Sequence, residues 1–77
     1  MKRLHLIIHG RVQGVFFRAF VHKQAQLLNL TGFVRNKSDG TVEAVVEGDA
    51  KNLAMLLELC KTGPPAARVD KIDKKEE

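Results

Sequence analysis

The spacing of apolar residues alternates between two periods along this 77-residue chain, and the order of the changes limits the possible folds. Short apolar segments bounded by turn residues, some with a clear period of two, predict four β-strands. These strands span residues 3–9, 31–36, 41–47 and 68–72. Apolar residues three and four apart predict helices over residues 16–28 and 50–61. The predicted order is therefore β-α-β-β-α-β.

Turn and cap residues mark the ends of these elements. Asn29 follows the last periodic residue of the first helix and can adopt the left-handed conformation that ends a helix. The Asp-Gly pair within residues 37–40 predicts a hairpin turn. Asp49 is an N-cap for the second helix, and Gly63 with the two prolines after it ends that helix.

This order is the split βαβ, or ferredoxin-like, arrangement, an α+β sandwich with two helices on one face of a mostly antiparallel four-stranded sheet. Strands 1 and 2 should run parallel with strand 3 between them. Their carboxyl ends then share one end of the sheet, so the loop after strand 1 and the turn after strand 2 should meet. We predict a single domain over residues 1–77, in which about 71–77 form a frayed, charged tail.

Composition narrows the classes of function. The chain has 13 Lys and Arg against 9 Asp and Glu, a net charge of +4, which favours nucleic acid or small phosphorylated molecules as partners. One cysteine excludes an intramolecular disulfide framework and a Cys-rich zinc site. The apolar stretch from Leu4 to Ile8 is too short for a signal peptide or a membrane span. We therefore expect a cytoplasmic protein that does not contact a membrane.

The segment GRVQGVFFR, residues 10–18, is the most informative part of the chain. Its two glycines let the backbone bend and approach a ligand closely, and it leads into a helix whose first N–H groups lack partners. Arg18 lies just inside that helix, and its guanidinium can bind two phosphate oxygens at once. The pattern is neither a Walker A loop nor the dinucleotide-binding glycine motif. Alone, it fits an anion site and a tight structural connection equally well.

Two separated regions of the chain together resemble one enzyme family. GRVQGVFFR is followed by TGFVRN at residues 31–36 and by SDGTVE at residues 38–43, and this combination resembles the acylphosphatase family from about Leu4 to Ile72. The resemblance implies a metal-independent hydrolase that needs no cofactor and cleaves the carboxyl–phosphate anhydride bond of acyl phosphates. The expected partners are a small acyl phosphate substrate and inorganic phosphate as product or competitive inhibitor.

The resemblance also implies roles for the matching residues. Backbone amides of the loop hold the phosphoryl group, Arg18 binds its oxygens, and Asn36 at the end of strand 2 holds the attacking water. The expected phosphate-binding loop residues are Gln13, Gly14, Val15, Phe16, Phe17 and Arg18. A neutral amide such as that of Asn36 can accept from a water and donate to an oxygen, which suits orientation of the water.

The chain departs from the family in two places. Family members usually continue and end in another strand, which is absent here, so we expect a sheet edge without its usual cover. An exposed edge invites pairing with another chain; a monomer is expected, with an edge-strand dimer or swap as the alternative. Asn29 stands where the family commonly has glycine, and it fits the same helix-ending geometry.

Two other functions remain open on the sequence: a catalytically weak or silent phosphate-binding domain, and a basic nucleic-acid-binding module on the same fold. RNA-binding sheets of this topology need exposed aromatic residues on their central strands, and predicted strands 1 and 3 contain none. Phe16, Phe17 and Phe20 are expected to pack in the core and brace the loop. Cys60 falls on the apolar stripe of the second helix and is expected to be structural.

Overall fold

The computed structural model describes residues 2–77, and it contains the six predicted elements in the predicted order. The four strands and two helices are β1 (Lys2–Arg11), α1 (Phe17–Leu27), β2 (Thr31–Asn36), β3 (Val42–Gly48), α2 (Ala50–Thr62) and β4 (Arg68–Glu76). The sheet order is β2-β3-β1-β4, and every neighbouring pair is antiparallel. The α+β ferredoxin-like fold is therefore confirmed, although the predicted domain began at Met1, which lies outside the described residues.

Side chains that alternate between the two faces of the central strands β1 and β3 form one side of the core. The inward-facing residues of β1 and β3 are fully or almost fully buried and comprise Leu4, Leu6, Ile8, Val42, Ala44 and Val46. They pack against buried residues of the two helices, namely Phe17, Val21, Leu53, Leu56 and Cys60. Burying one such aliphatic or aromatic side chain stabilises the fold by about 1.5–3 kcal/mol. Burial also raises the pKa of the Cys60 thiol to about 12, which keeps it protonated and unreactive.

The structure corrects the predicted frayed tail at residues 71–77. β4 runs to Glu76 and pairs with β1 along its length, with Leu6 opposite Lys74 and Leu4 opposite Glu76. The charged side chains of this segment made it resemble a solvated tail. An edge strand, however, needs only backbone hydrogen bonds on one side, and its charges protect the edge against pairing with other chains.

The structure also corrects the predicted position of Gly10, the first glycine of the GRVQGVFFR segment. Gly10 lies within β1, next to a register shift between β1 and β4, so the connecting loop spans residues 12–16. Its φ is 132°, and a Cβ atom there would lie 2.1 Å from the backbone carbonyl oxygen of Arg68. Gly10 therefore allows β4 to approach β1 and does not approach a ligand.

The predicted helix ends are close to the observed ones. Asn29 has a φ of 57°, the left-handed conformation expected after α1. Asp49 occupies the N-cap position of α2, but its side chain forms no capping hydrogen bond. Neither helix within residues 2–77 has the length and apolar character needed to cross a membrane.

Candidate active site

The loop at residues 12–16 and the turn that joins β2 to β3 meet at one end of the sheet. The loop, the start of α1 and the end of β2 border a cleft of about 250 Å³ whose lining residues are Val12, Gly14, Phe16, Phe17, Arg18, Ala19 and Asn36. The cleft lies where the topology predicted, because the parallel strands β1 and β2 both end on this side. It brings together Arg18 and Asn36, which are 18 positions apart in the sequence.

Asn36 reaches the cleft because it is the last residue of β2. It is paired with Val42 at the start of β3, and the turn that follows is closed by other residues. Asp39 accepts hydrogen bonds from the backbone amide of Thr41, at 3.0 Å, and from its hydroxyl group. These bonds hold the pKa of Asp39 below its ordinary value. These bonds of Asp39 close the turn without using the side-chain amide of Asn36.

The side chain of Gln13 connects the loop to the turn by hydrogen bonds. Its Nε2 atom donates hydrogen bonds to the carbonyl oxygens of Lys37, at 2.7 Å, and Thr41, at 2.9 Å. The sequence-based interpretation assigned Gln13 only a backbone role and missed this one. No pattern in the sequence marked the side chain, because its two acceptors are backbone atoms 24 and 28 residues away.

The amide groups of the loop backbone have no hydrogen-bond acceptor in the part of the chain that the structure describes. Gly14 has a φ of 74° and Phe16 a φ of 64°, whereas Val15 between them is not in the positive region. This alternation of conformation is typical of the concave amide nests that bind anions. Within residues 2–77, the amides of residues 13–16 donate no backbone hydrogen bond, and α1 carries no acidic residue in its first turn.

Arg18 lies one residue inside α1, and its side chain is solvent-exposed. Across the part of the chain that the structure describes, no carboxylate pairs with its guanidinium group. Most other arginines are engaged; Arg3, Arg35 and Arg68 all pair with acidic side chains. Arg18 thus offers its full set of donors to a ligand in the cleft.

The three phenylalanines at the start of α1 do not behave alike. Phe17 is 1% exposed, and Phe20 packs beside it at a ring distance of 6.1 Å. The prediction of a core role is right for these two residues and wrong for Phe16, which is 82% exposed. The left-handed conformation of Phe16 explains the difference, since it turns the side chain away from the face that α1 buries. Sequence spacing does not reveal such a conformation.

A family model described as Acylphosphatase matches residues 4–77. The chain belongs to the acylphosphatase family. Among its relatives, the acylphosphatase of Methylococcus capsulatus is 53% identical over 76 residues, which cover 99% of the chain and 83% of that relative. The chain is accordingly an enzyme, a hydrolase whose substrates are small acyl phosphates.

Solved structures of acylphosphatases have the same fold. The crystal structure of the acylphosphatase from Bacillus subtilis superimposes with a TM-score of 0.98 at 40% identity, covering 100% of this chain and 86% of that one. The acylphosphatase structure from Coxiella burnetii gives a TM-score of 0.93 at 43% identity, covering 97% of this chain and 79% of that one. The ferredoxin-like architecture is thus shared with enzymes of the family.

Proposed function

We propose that this acylphosphatase cleaves the carboxyl–phosphate anhydride bond by direct attack of water on the phosphoryl group. Arg18 and the backbone amides of residues 13–18 bind that group, and Asn36 holds the water. The observation that carries the proposal is the single cleft lined by Arg18, Asn36 and the loop. In the reaction, a water oxygen bonds to phosphorus and the carboxylate leaves with the electron pair of the broken P–O bond. One proton of the water passes to the phosphate that forms.

The loop supplies electrostatic stabilisation. The phosphoryl oxygens carry negative charge throughout the reaction, and preorganised N–H donors at a helix N-terminus stabilise such charge without reorganising. Arg18 adds a formal positive charge and can bind two oxygens at once. Because no acidic side chain stands in the first turn of α1, nothing in that turn repels the substrate.

Asn36 contributes position. Its side-chain oxygen accepts a hydrogen bond from water, and its amide nitrogen donates to a phosphoryl oxygen. Such a contact places the water oxygen near phosphorus, which lowers the entropic cost of attack. An acyl phosphate already has a stable carboxylate as its leaving group. Positioning and charge stabilisation therefore suffice, without a strong base or a metal ion.

Hydrolysis of benzoyl phosphate by the purified chain tests the proposal directly. Turnover should persist in the presence of EDTA, and inorganic phosphate should inhibit it competitively. Absence of EDTA-resistant turnover above the buffer rate would contradict the proposal. If phosphate still protected the chain against unfolding while no turnover occurred, the alternative of a silent phosphate-binding domain would be correct.

The finer expectations about the chain stay predictions. They include the cytoplasmic location, the monomeric state, the lack of any cofactor or metal, and the lack of nucleic-acid binding. An RNA-binding role remains the least supported, because β1 and β3 carry no aromatic residue and such sheets bind bases by stacking.

A further inference from the structure

Phe16 combines two features that are unfavourable for a phenylalanine. The residue is 82% exposed to solvent, although the removal of apolar surface from water lowers the free energy. Its φ of 64° lies in a region that bulky side chains rarely adopt. An exposed and conformationally strained residue at the edge of a functional cleft is a reason to ask what its side chain contacts.

The composition of the cleft wall suggests the contact. Arg18, Asn36 and the loop amides provide the polar part, which the phosphoryl group occupies under the proposed function. Of the large apolar residues in the wall, Val12 and Phe17 are each 1% exposed, so their surface is already covered by the core. Phe16 is the residue whose apolar surface is open to a ligand. An acyl group bound to the phosphoryl group would lie at this rim.

We propose that the ring of Phe16 packs against the acyl group of the substrate and makes the enzyme favour aromatic and other large apolar acyl phosphates over acetyl phosphate. The inference rests on the proposed function, because it names the substrate class of the same reaction. A planar acyl group can lie offset or edge-on against the ring, and both surfaces then leave water. The methyl group of acetyl phosphate covers much less of the ring.

The test compares kcat/KM for benzoyl phosphate and acetyl phosphate in the parent chain, Phe16→Gly, Phe16→Asn and Phe16→Tyr. Glycine and asparagine accept the positive φ, so these two variants remove the ring while keeping the loop conformation. We expect the benzoyl-to-acetyl ratio to fall about tenfold in both. Phe16→Tyr keeps the aromatic surface, and its ratio should stay within about twofold of the parent ratio.

The control is Phe33→Ala, which removes the ring of a 49% exposed residue on β2 that does not line the cleft. Its benzoyl-to-acetyl ratio should equal that of the parent. Circular dichroism shows whether each variant is folded. If Phe16→Gly does not fold, Phe16→Asn provides the comparison without the ring. An unchanged ratio in a folded, active variant without the ring would overturn the role of Phe16 alone. A parent chain that hydrolyses neither substrate would overturn the proposed function, and this inference with it.

Discussion

The side chain of Gln13 and the backbone of Lys37 are joined by a 2.7 Å hydrogen bond that crosses from the loop after β1 to the turn after β2. Because Lys37 directly follows Asn36, this bond restrains the distance between the proposed phosphate-binding loop and the proposed water-binding residue. A second bond from the same nitrogen to Thr41 restrains the other end of the turn. Gln13 therefore connects the loop to the end of β2, and we expect it to act as a positioning residue.

Gln13→Ala should reduce kcat far more than it reduces stability. The two carbonyl oxygens keep other donors, from Gly40 at 3.2 Å and from Lys37 at 2.9 Å, so the free energy of unfolding should fall by only about 1 kcal/mol. A displacement of Asn36 by a fraction of an ångström to an ångström can cost up to about 100-fold in rate. Steady-state kinetics with benzoyl phosphate should show this loss in kcat, with the inhibition constant of phosphate little changed.

Gln26→Ala is the matched control for that experiment, because it removes an exposed glutamine from α1 away from the cleft. It should leave kcat and KM unchanged. If Gln13→Ala changed KM and the phosphate inhibition constant as strongly as kcat, Gln13 would act on the phosphate-binding loop and not on the position of Asn36.

Asn36→Ala should retain phosphate binding and lose most of kcat. The substitution removes the contact to the attacking water but leaves Arg18 and the loop amides in place. Losing one well-placed hydrogen-bonding group at a reacting centre costs about 10²–10³ in kcat. Wild-type turnover in this variant would refute the water-holding role, whereas equal losses in kcat and phosphate affinity would assign Asn36 to phosphate binding.

Arg18→Ala should weaken phosphate binding and turnover together. The guanidinium group is exposed and unpaired with any carboxylate in residues 2–77, so its removal should change stability by less than about 0.5 kcal/mol. Competitive inhibition by phosphate and kcat/KM for benzoyl phosphate measure the two effects. Lys23→Ala, which removes another exposed cation from α1, should alter neither. A variant that lost turnover but bound phosphate normally would contradict the proposed contact.

The sequence predicted those parts of the site that depend on topology. Arg18 follows a glycine loop and Asn36 ends a strand, and the order of elements was enough to bring both to one end of the sheet. The contact of Gln13 with the turn and the outward position of Phe16 depend on side-chain and backbone conformation, which spacing does not encode. The predicted fourth strand ended at residue 72, before the observed end of β4, for a related reason. Its residues 71–76 are mostly charged, and only their pairing with β1 makes them a strand.

Gly10→Ala should be strongly destabilising, although Gly10 is not part of the cleft. The added methyl group would lie 2.1 Å from the Arg68 carbonyl oxygen at a φ of 132°, so β4 must move away from β1. We expect the free energy of unfolding to fall by about 3 kcal/mol or more. Gly40→Ala is the control. Its φ is 91° and no atom outside Gly40 and its two chain neighbours lies within 4 Å of the new Cβ, so only backbone strain of about 1 kcal/mol is added. Urea denaturation of both variants measures the difference, and equal losses would contradict the steric argument.

The free energy of unfolding should fall in acid, because the stabilising contribution of Glu43 is lost when its carboxylate is protonated. Its carboxylate accepts a hydrogen bond from Arg35 and lies 2.7 Å from Nε2 of His5 on the outer face of the sheet. The Arg35 bond, followed by the His5 bond, holds the pKa of Glu43 below its ordinary value of 4.5. The stabilisation is therefore complete above that ordinary value and disappears as the pH falls through the lower pKa of the folded chain.

Glu43→Gln should remove this contribution, so the variant should be less stable than the parent at pH 7 and should lose less stability on acidification below about pH 4.5. Urea unfolding from pH 7 to pH 2 measures how the free energy of unfolding of the parent and of the variant depends on pH. Glu58→Gln, which breaks only the exposed pair with Lys61, should change stability at pH 7 by no more than about 1 kcal/mol. If the free energy of unfolding fell equally with pH in the parent and in Glu43→Gln, Glu43 would not control the acid sensitivity of the fold.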